Sequence, residues 1–176
     1  LADKPLNDYL VLAALEVAEQ QQMPVQFHTG FGDPDLDMLL VNPFHLRPVL
    51  ESRRFDHVPF VLLHASYPYV RELGYLAAVY PNVYMDVGLA IPYVTIDIPA
   101  LWRQALGLTP SNKILFSTDA YSIPEIYWLA ARWGRWGLGV VLEELQAVGA
   151  LTAAETEDAA VRILHRNSEE LYGLKL

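Results

Sequence analysis

The sequence contains no cysteine, which excludes a disulfide framework, a thiolate metal site and a thiol nucleophile. Cations are scarce as well: 12 Lys and Arg against 21 Asp and Glu leave a formal charge of −9, and nothing basic clusters. Recognition of a phosphate backbone needs a basic stripe, so nucleic acid is excluded as a partner. Long apolar runs are missing too. None reaches the ~18 residues of a membrane span, and the start lacks the basic-then-apolar design of a signal peptide. No membrane partner is expected, and a cytoplasmic location is the default. No internal repeat at fixed period is found.

What is present is a rich globular composition, 53% hydrophobic and 19% charged over 176 residues. That is enough for one domain, residues 1–176, with a sizeable core. The chain begins at Leu1 and not at a methionine, and the expectation is that it starts partway through a longer protein.

Read in order, Leu6 to Gln22 carries Leu6, Tyr9, Leu10, Ala13, Ala14 and Val17 at helical spacing, with Glu16, Glu19 and Gln20 opposite. This predicts an amphipathic helix whose apolar stripe faces the core. It ends before Met23-Pro24, and a short apolar strand follows at once, closing on His28 before Gly30. Gly30 to Asn42 reads as a long loop. Pro43 opens a helix to about Arg53, interrupted by Pro48. A second strand, Pro59 to His64, ends in another histidine. A helix from Pro68 to Tyr80 leads to a strand, Asn82 to Asp86, and a helix from Ile98 to Leu106 leads to a last strand, Lys113 to Thr118, running into Asp119. Beyond it, Pro124 to Trp136, Leu138 to Val148 and Ala153 to His165 read as successive helices divided by glycines, with Thr152 and Glu155 forming a capping-box pattern. A last turn of helix, Ser168 to Tyr172, stops at Gly173.

Alternation of strand and helix predicts an α/β fold with a parallel sheet of (β/α) units, in which chemistry gathers at the carboxyl ends of the strands. His28, His64, Asp86 and Asp119 all fall there. Neutral imidazoles and a carboxylate are the donors that a catalytic zinc takes, with three protein ligands and an open place for water. Such an ion lowers the pKa of its water towards ~7. His28, His64 and Asp119 are therefore candidate metal ligands, with His64 and Asp119 also candidate catalytic groups. His45, His57 and His165 lack the strand-end position and are expected at the surface or in packing.

Other patterns fail on inspection. Asp33, Asp35 and Asp37 alternate as in a calcium loop, but Met38 stands where that loop needs Gly and Phe44 where it needs the bidentate Glu. As a loop after the His28 strand, the segment could still line a substrate pocket, with Asn42 a further polar candidate. The glycines of Gly134-Arg135-Trp136-Gly137-Leu138-Gly139 follow a helix and have the wrong spacing for a dinucleotide fingerprint, so they read as a helix-to-helix turn. Ser66 and Ser117 are not in a nucleophile-elbow sequence. Trp128, Trp133 and Trp136 at near-helical spacing belong to core or interface.

The ordered set Val25-Gln26-Phe27-His28-Thr29-Gly30, Leu62-Leu63-His64-Ala65-Ser66-Tyr67-Pro68-Tyr69, Tyr80-Pro81-Asn82-Val83-Tyr84-Met85-Asp86, Ile114-Leu115-Phe116-Ser117-Thr118-Asp119-Ala120 and Asn167-Ser168-Glu169-Glu170-Leu171-Tyr172 resembles the amidohydrolase-related (amidohydrolase 2) family, the branch that also holds decarboxylases of aminocarboxymuconate semialdehyde. The resemblance covers nearly the whole chain. It implies the carboxyl-terminal half of a TIM-type barrel, about strands five to eight, with extra C-terminal helices. It further implies His28 as a strand-five metal ligand and His64 as the strand-six residue that orients water or binds a second metal. Asp119 would be the strand-eight ligand and proton acceptor, and Asp86 a supporting residue. A divalent metal, most readily zinc, and a small amide- or carboxylate-bearing substrate follow from the same resemblance, with hydrolysis the first reading, a noncatalytic scaffold the alternative and decarboxylation a second. The family's His-x-His pair on strand one has no counterpart here. A half barrel also leaves two open sheet edges, so self-association as a homo-oligomer, or a missing N-terminal half, is expected.

Overall fold

The computed structural model describes residues 3–174. Helix α1 (Lys4–Gln21) is capped by the Asp3 side chain and ends at Gln22 in a left-handed conformation, after which β1 (Val25–Phe27) begins. The loop from Gly30 is not loose. The Gly30 N–H donates to the Val41 carbonyl and the Phe31 N–H to that of Tyr67, while the Tyr69 hydroxyl donates to the Met38 carbonyl. A 3-10 turn, Pro43–Leu46, leads into α2 (Arg47–Glu51), so the predicted single helix is two short pieces. Then come β2 (Phe60–Leu62), α3 (Val70–Val79), β3 (Val83–Asp86), α4 (Ala90–Val94), α5 (Ile98–Leu108) and β4 (Ile114–Leu115). Helices α6 (Pro124–Ala147), α7 (Ala153–Val161) and α8 (Asn167–Tyr172) complete the chain, with one turn of π-helix, Arg162–Arg166, before the last.

The four strands form one parallel sheet in the order β1-β2-β3-β4, which is the (β/α) architecture read from the alternation. Val25 pairs with Phe60, Phe60 with Val83, and Met85 with Ile114. One face of the sheet, including Phe60, Leu62, Val83, Met85 and Ile114, is buried with Leu73, Leu76, Leu101 and Trp102 from the helices. Removing that much apolar surface from water, at about 25 cal/mol per Å², is the main favourable contribution to folding. Asn167 anchors the start of α8 by donating its amide to the carbonyls of Ser111 and Ile114, and Lys113 donates to the carbonyls of Ala77 and Tyr80 at the end of α3. Among the described residues no helix is long and apolar enough to cross a membrane.

Three expectations are corrected. The strands are shorter than their apolar runs: β2 stops at Leu62, not His64, because His64, Ala65 and Ser66 take left-handed backbone angles, and β4 holds only Ile114 and Leu115. The glycines after Trp133 do not end a helix. Helix α6 is continuous for 24 residues, and Gly134 and Gly137 lie on its buried side, where a Cβ would come within 2.4 Å of the Phe116 ring and 2.3 Å of Ile98 Cγ2. Trp102 donates its indole N–H to the Gly134 carbonyl at 3.0 Å. These glycines permit close approach of helices and make no turn. Gly137→Ala is therefore expected to lose about 1–2 kcal/mol, overpacking outweighing the gain in helix propensity; an unchanged or raised urea midpoint would contradict this.

The third correction concerns α1. Its predicted inner stripe is outside: Leu15 and Ala18 are its buried residues, whereas Leu6, Tyr9, Leu10 and Val17 are exposed.

Candidate functional site

The carboxyl ends of the four strands form one rim. His28 is the first residue beyond β1, and the loop crosses so close above it that a Cβ at Gly32 would lie 2.2 Å from His28 Cε1. The His28 and His64 rings meet edge to face with centroids 4.2 Å apart.

His64 reaches that contact through an unusual backbone. Three successive non-glycine residues, His64, Ala65 and Ser66, have φ of +64°, +50° and +50°, each costing about 1–2 kcal/mol for an L-residue. Strain of this kind persists only where the surroundings over-determine it, and here they do. The Thr29 hydroxyl lies 3.2 Å from the Leu63 carbonyl, to which it donates, and 2.7 Å from Ser66 Oγ. The N–H groups of Tyr67 and Tyr69 donate to the carbonyls of His64 and Ser66. Gly30, at φ +71°, lies so near Ser66 that no side chain could be added.

The result is a buried imidazole, 2% exposed, with neither ring nitrogen hydrogen-bonded. Burial, and then the neighbouring His28, push its pKa down to about 4, so His64 is neutral at pH 7 and carries a free lone pair. Asp119 sits beyond β4 with φ +51° and its side chain half exposed. Its Oδ2 lies 3.7 Å from His64 Nδ1, too far for a hydrogen bond.

Asp86, the last residue of β3, plays a supporting part. Its Oδ1 accepts from the Gly88 N–H at 2.8 Å and the Ser117 hydroxyl at 3.0 Å, tying the end of β3 to the segment that carries Asp119. Burial raises its pKa to about 6, against those two hydrogen bonds and with the Asp119 charge adding to the rise. Below the rim, Gln26, Leu63, His64, Asp86, Asp119 and Tyr172 line a cleft of about 280 Å³ along the inner face. Gln26 donates its amide to the Tyr172 hydroxyl at 2.8 Å, so α8 reaches the inside of the sheet. Phe31 stands edge-on to the rings of His64, Tyr67 and Tyr93, with centroids 6.4, 5.5 and 6.2 Å away.

The four strand-end residues therefore come to one rim, as their positions predict. His45 instead bonds the Leu39 carbonyl, His165 pairs with Glu169, and His57 is exposed. Sequence reasoning set Ser66 and Ser117 aside as nucleophiles and so missed what they hold in place. Neither has a motif, and only the two-residue alternation beyond β4 could have aimed Ser117 at Asp86. The Phe31 wall was likewise unsignalled.

The donor set fits a divalent ion in part. Ligands about 2.0–2.2 Å from a shared ion lie roughly 3–4 Å from each other, and the His64–Asp119 separation of 3.7 Å falls in that range. The neutral imidazole with two unpartnered buried nitrogens is the species such an ion takes. Among the described residues, however, no three His, Asp or Glu converge in a metal-holding arrangement.

The sequence matches the family described as "Amidohydrolase" over residues 2–174. The chain belongs to the amidohydrolase family. It is 44% identical to Protein fluG of Emericella nidulans, aligned over 98% of this chain and 20% of that protein. Among solved structures, a candidate metal-dependent hydrolase from Lactobacillus casei superposes with a TM-score of 0.90 at 36% identity, over the whole of this chain and 47% of the other. Uronate isomerase of Thermotoga maritima, at TM-score 0.74 and 14% identity, covers 98% of this chain and 42% of its own. A TIM-barrel protein of Bordetella bronchiseptica gives 0.61 and 23% over 93% and 50%; these two show the fold alone. This amidohydrolase chain thus spans a fifth of the curated relative and about half of the barrel-type structures, and its four parallel strands are half of an eight-stranded (β/α) barrel.

Proposed function

We propose that this chain carries the metal-binding rim of a hydrolase that acts on a small substrate bearing an amide or a carboxylate. The observation behind the reading is His64: a buried, neutral imidazole with two unsatisfied nitrogens, in ring contact with His28 and 3.7 Å from the Asp119 carboxylate. His28, His64 and Asp119 are the residues that would hold a divalent ion, zinc by the softness of imidazole. Bound there, the ion would polarise a carbonyl and lower the pKa of water.

The chain's own residues have separable tasks. Asp119, exposed at the rim, can take a proton from an attacking water and return it to the departing amine as the carbon–nitrogen bond breaks. Asp86 and Ser117 set the position of the segment that carries it. Strained backbone at residues 64–66 fixes the direction of the His64 ring before any ligand arrives, which is the preorganisation that catalysis needs. Phe31, edge-on to the His64 ring, helps to keep that ring out of water.

Elemental analysis of the purified chain after zinc loading and desalting tests this. Zinc near one equivalent is expected, with at least a tenfold loss in His28→Ala, His64→Ala and Asp119→Ala. Equal zinc in the parent chain and all three variants would overturn the reading.

A further inference from the structure

We propose that Thr29 is the positioning residue that sets the His28 and His64 rings against each other, its hydroxyl standing in for a rung that the sheet lacks. What the pair is for rests on the metal reading above; how it is held does not. In the ladder between β1 and β2, Val25 pairs with Phe60 and Phe27 with Leu62, and the Val25 N–H donates to the Pro59 carbonyl. Carried forward in that register, the ladder would bring Thr29 to the Leu63 carbonyl. By then the strand has ended: β2 stops at Leu62, and the left-handed angles from His64 onwards turn the chain out of the sheet. The Leu63 carbonyl instead receives the Thr29 hydroxyl, at 3.2 Å. The side chain next to one histidine is thus bonded to the carbonyl next to the other, where backbone pairing gives out.

The hydroxyl is fixed in its turn. Thr29 and Ser66 are both buried, and their side-chain oxygens lie 2.7 Å apart. A hydroxyl has one proton to give; with that of Thr29 on the Leu63 carbonyl, the Ser66 hydroxyl is the donor to Thr29. The second branch on the threonine Cβ restricts χ1, so the oxygen has little freedom to leave this place. The two bonds reach residues on either side of His64, and they hold the turn that bears it at a set distance from the end of β1. The ring contact, with centroids 4.2 Å and planes 65° apart, is the consequence. Hydrogen bonds that orient metal ligands in this indirect way typically govern metal affinity by about 10–100-fold.

Nuclear magnetic resonance of the metal-free 176-residue chain, labelled at histidine, tests the proposal through cross-relaxation between the His28 and His64 ring protons. Thr29→Val, which keeps the shape and removes the hydroxyl, is expected to lose that cross-peak, and Thr29→Ser, which retains the hydroxyl, to keep it. Ser66→Ala removes the donor to Thr29 and should weaken the peak; it carries the test if Thr29→Val does not fold. In a cobalt titration followed by absorbance, Thr29→Val should bind about tenfold or more weakly and Thr29→Ser like the parent chain. A cross-peak unchanged in Thr29→Val and Ser66→Ala, with only the urea midpoint lowered, would make the bond structural alone and overturn the proposal. So would its loss in Thr29→Ser. A cross-peak that responds as expected in a chain that binds no cobalt upholds the positioning and overturns the metal reading alone.

Discussion

Gly30→Ala is expected to destabilise the protein by about 4 kcal/mol, with the added methyl group meeting backbone and not a movable side chain. Gly30 has φ +71°, and a Cβ there would lie 2.2 Å from the Ser66 carbonyl carbon and 2.6 Å from both its oxygen and the Tyr67 nitrogen. The left-handed conformation accounts for about 1 kcal/mol of the loss. The larger part comes from separating the β1 loop from the strained turn at residues 64–66. Gly107 supplies the control: it lies inside α5, and a Cβ there meets nothing within 4 Å. Gly107→Ala should be neutral or stabilising by up to about 1 kcal/mol. Urea unfolding of both variants measures the contrast, and a loss at Gly30 no greater than the change at Gly107 would refute it.

Two buried groups at the rim should impose opposite pH dependences on stability. Asp86, with its pKa raised from 3.8 to about 6, contributes fully while both folded and unfolded states are protonated, below pH 3.8. The contribution is lost as pH rises through about 6 and a buried carboxylate must ionise. His64, lowered from 6.5 to about 4, contributes fully above pH 6.5, where both states are neutral. That contribution is lost as pH falls, because the unfolded chain takes a proton that the folded one refuses. Each shift corresponds to roughly 3 kcal/mol, and between pH 4 and 6 the two slopes nearly cancel. In metal-free protein, Asp86→Asn should make stability rise with pH across that window and add about 1–3 kcal/mol at pH 7.5, because the amide oxygen still accepts from Gly88 and Ser117. His64→Asn, a residue that tolerates the left-handed angle, should make stability fall with pH across the same window. Thermal melts at half-unit intervals measure both slopes. Parallel curves for the parent chain and the two variants would show that neither group titrates as its burial implies.

The strand-and-helix alternation was legible because each strand is a short apolar run bounded by Pro or Gly. His28 and His64 stood out because an apolar run is a conspicuous frame for a terminal histidine. The exact strand ends were not legible: Leu63, His64 and Ala65 continue the apolar run in composition, and only the Thr29, Gly30 and Ser66 contacts, made across 34 to 37 residues, bend the chain out of the sheet. Gly134 and Gly137 misled for a related reason. A glycine that ends a helix and one that admits a neighbouring ring are the same letter, and the ring of Phe116 is distant in sequence. On α1 the periodicity was real, but the partner of that stripe is not found within the sheet and helices it packs against.

The sheet order has a consequence for how the chain comes to be folded. Among the described residues each strand is hydrogen-bonded to its neighbours in sequence and to no other strand, so within this sheet no strand has to wait for a distant one before it finds a place. The ladder can lengthen in the direction of synthesis, each new β/α unit docking on the one before as it leaves the ribosome.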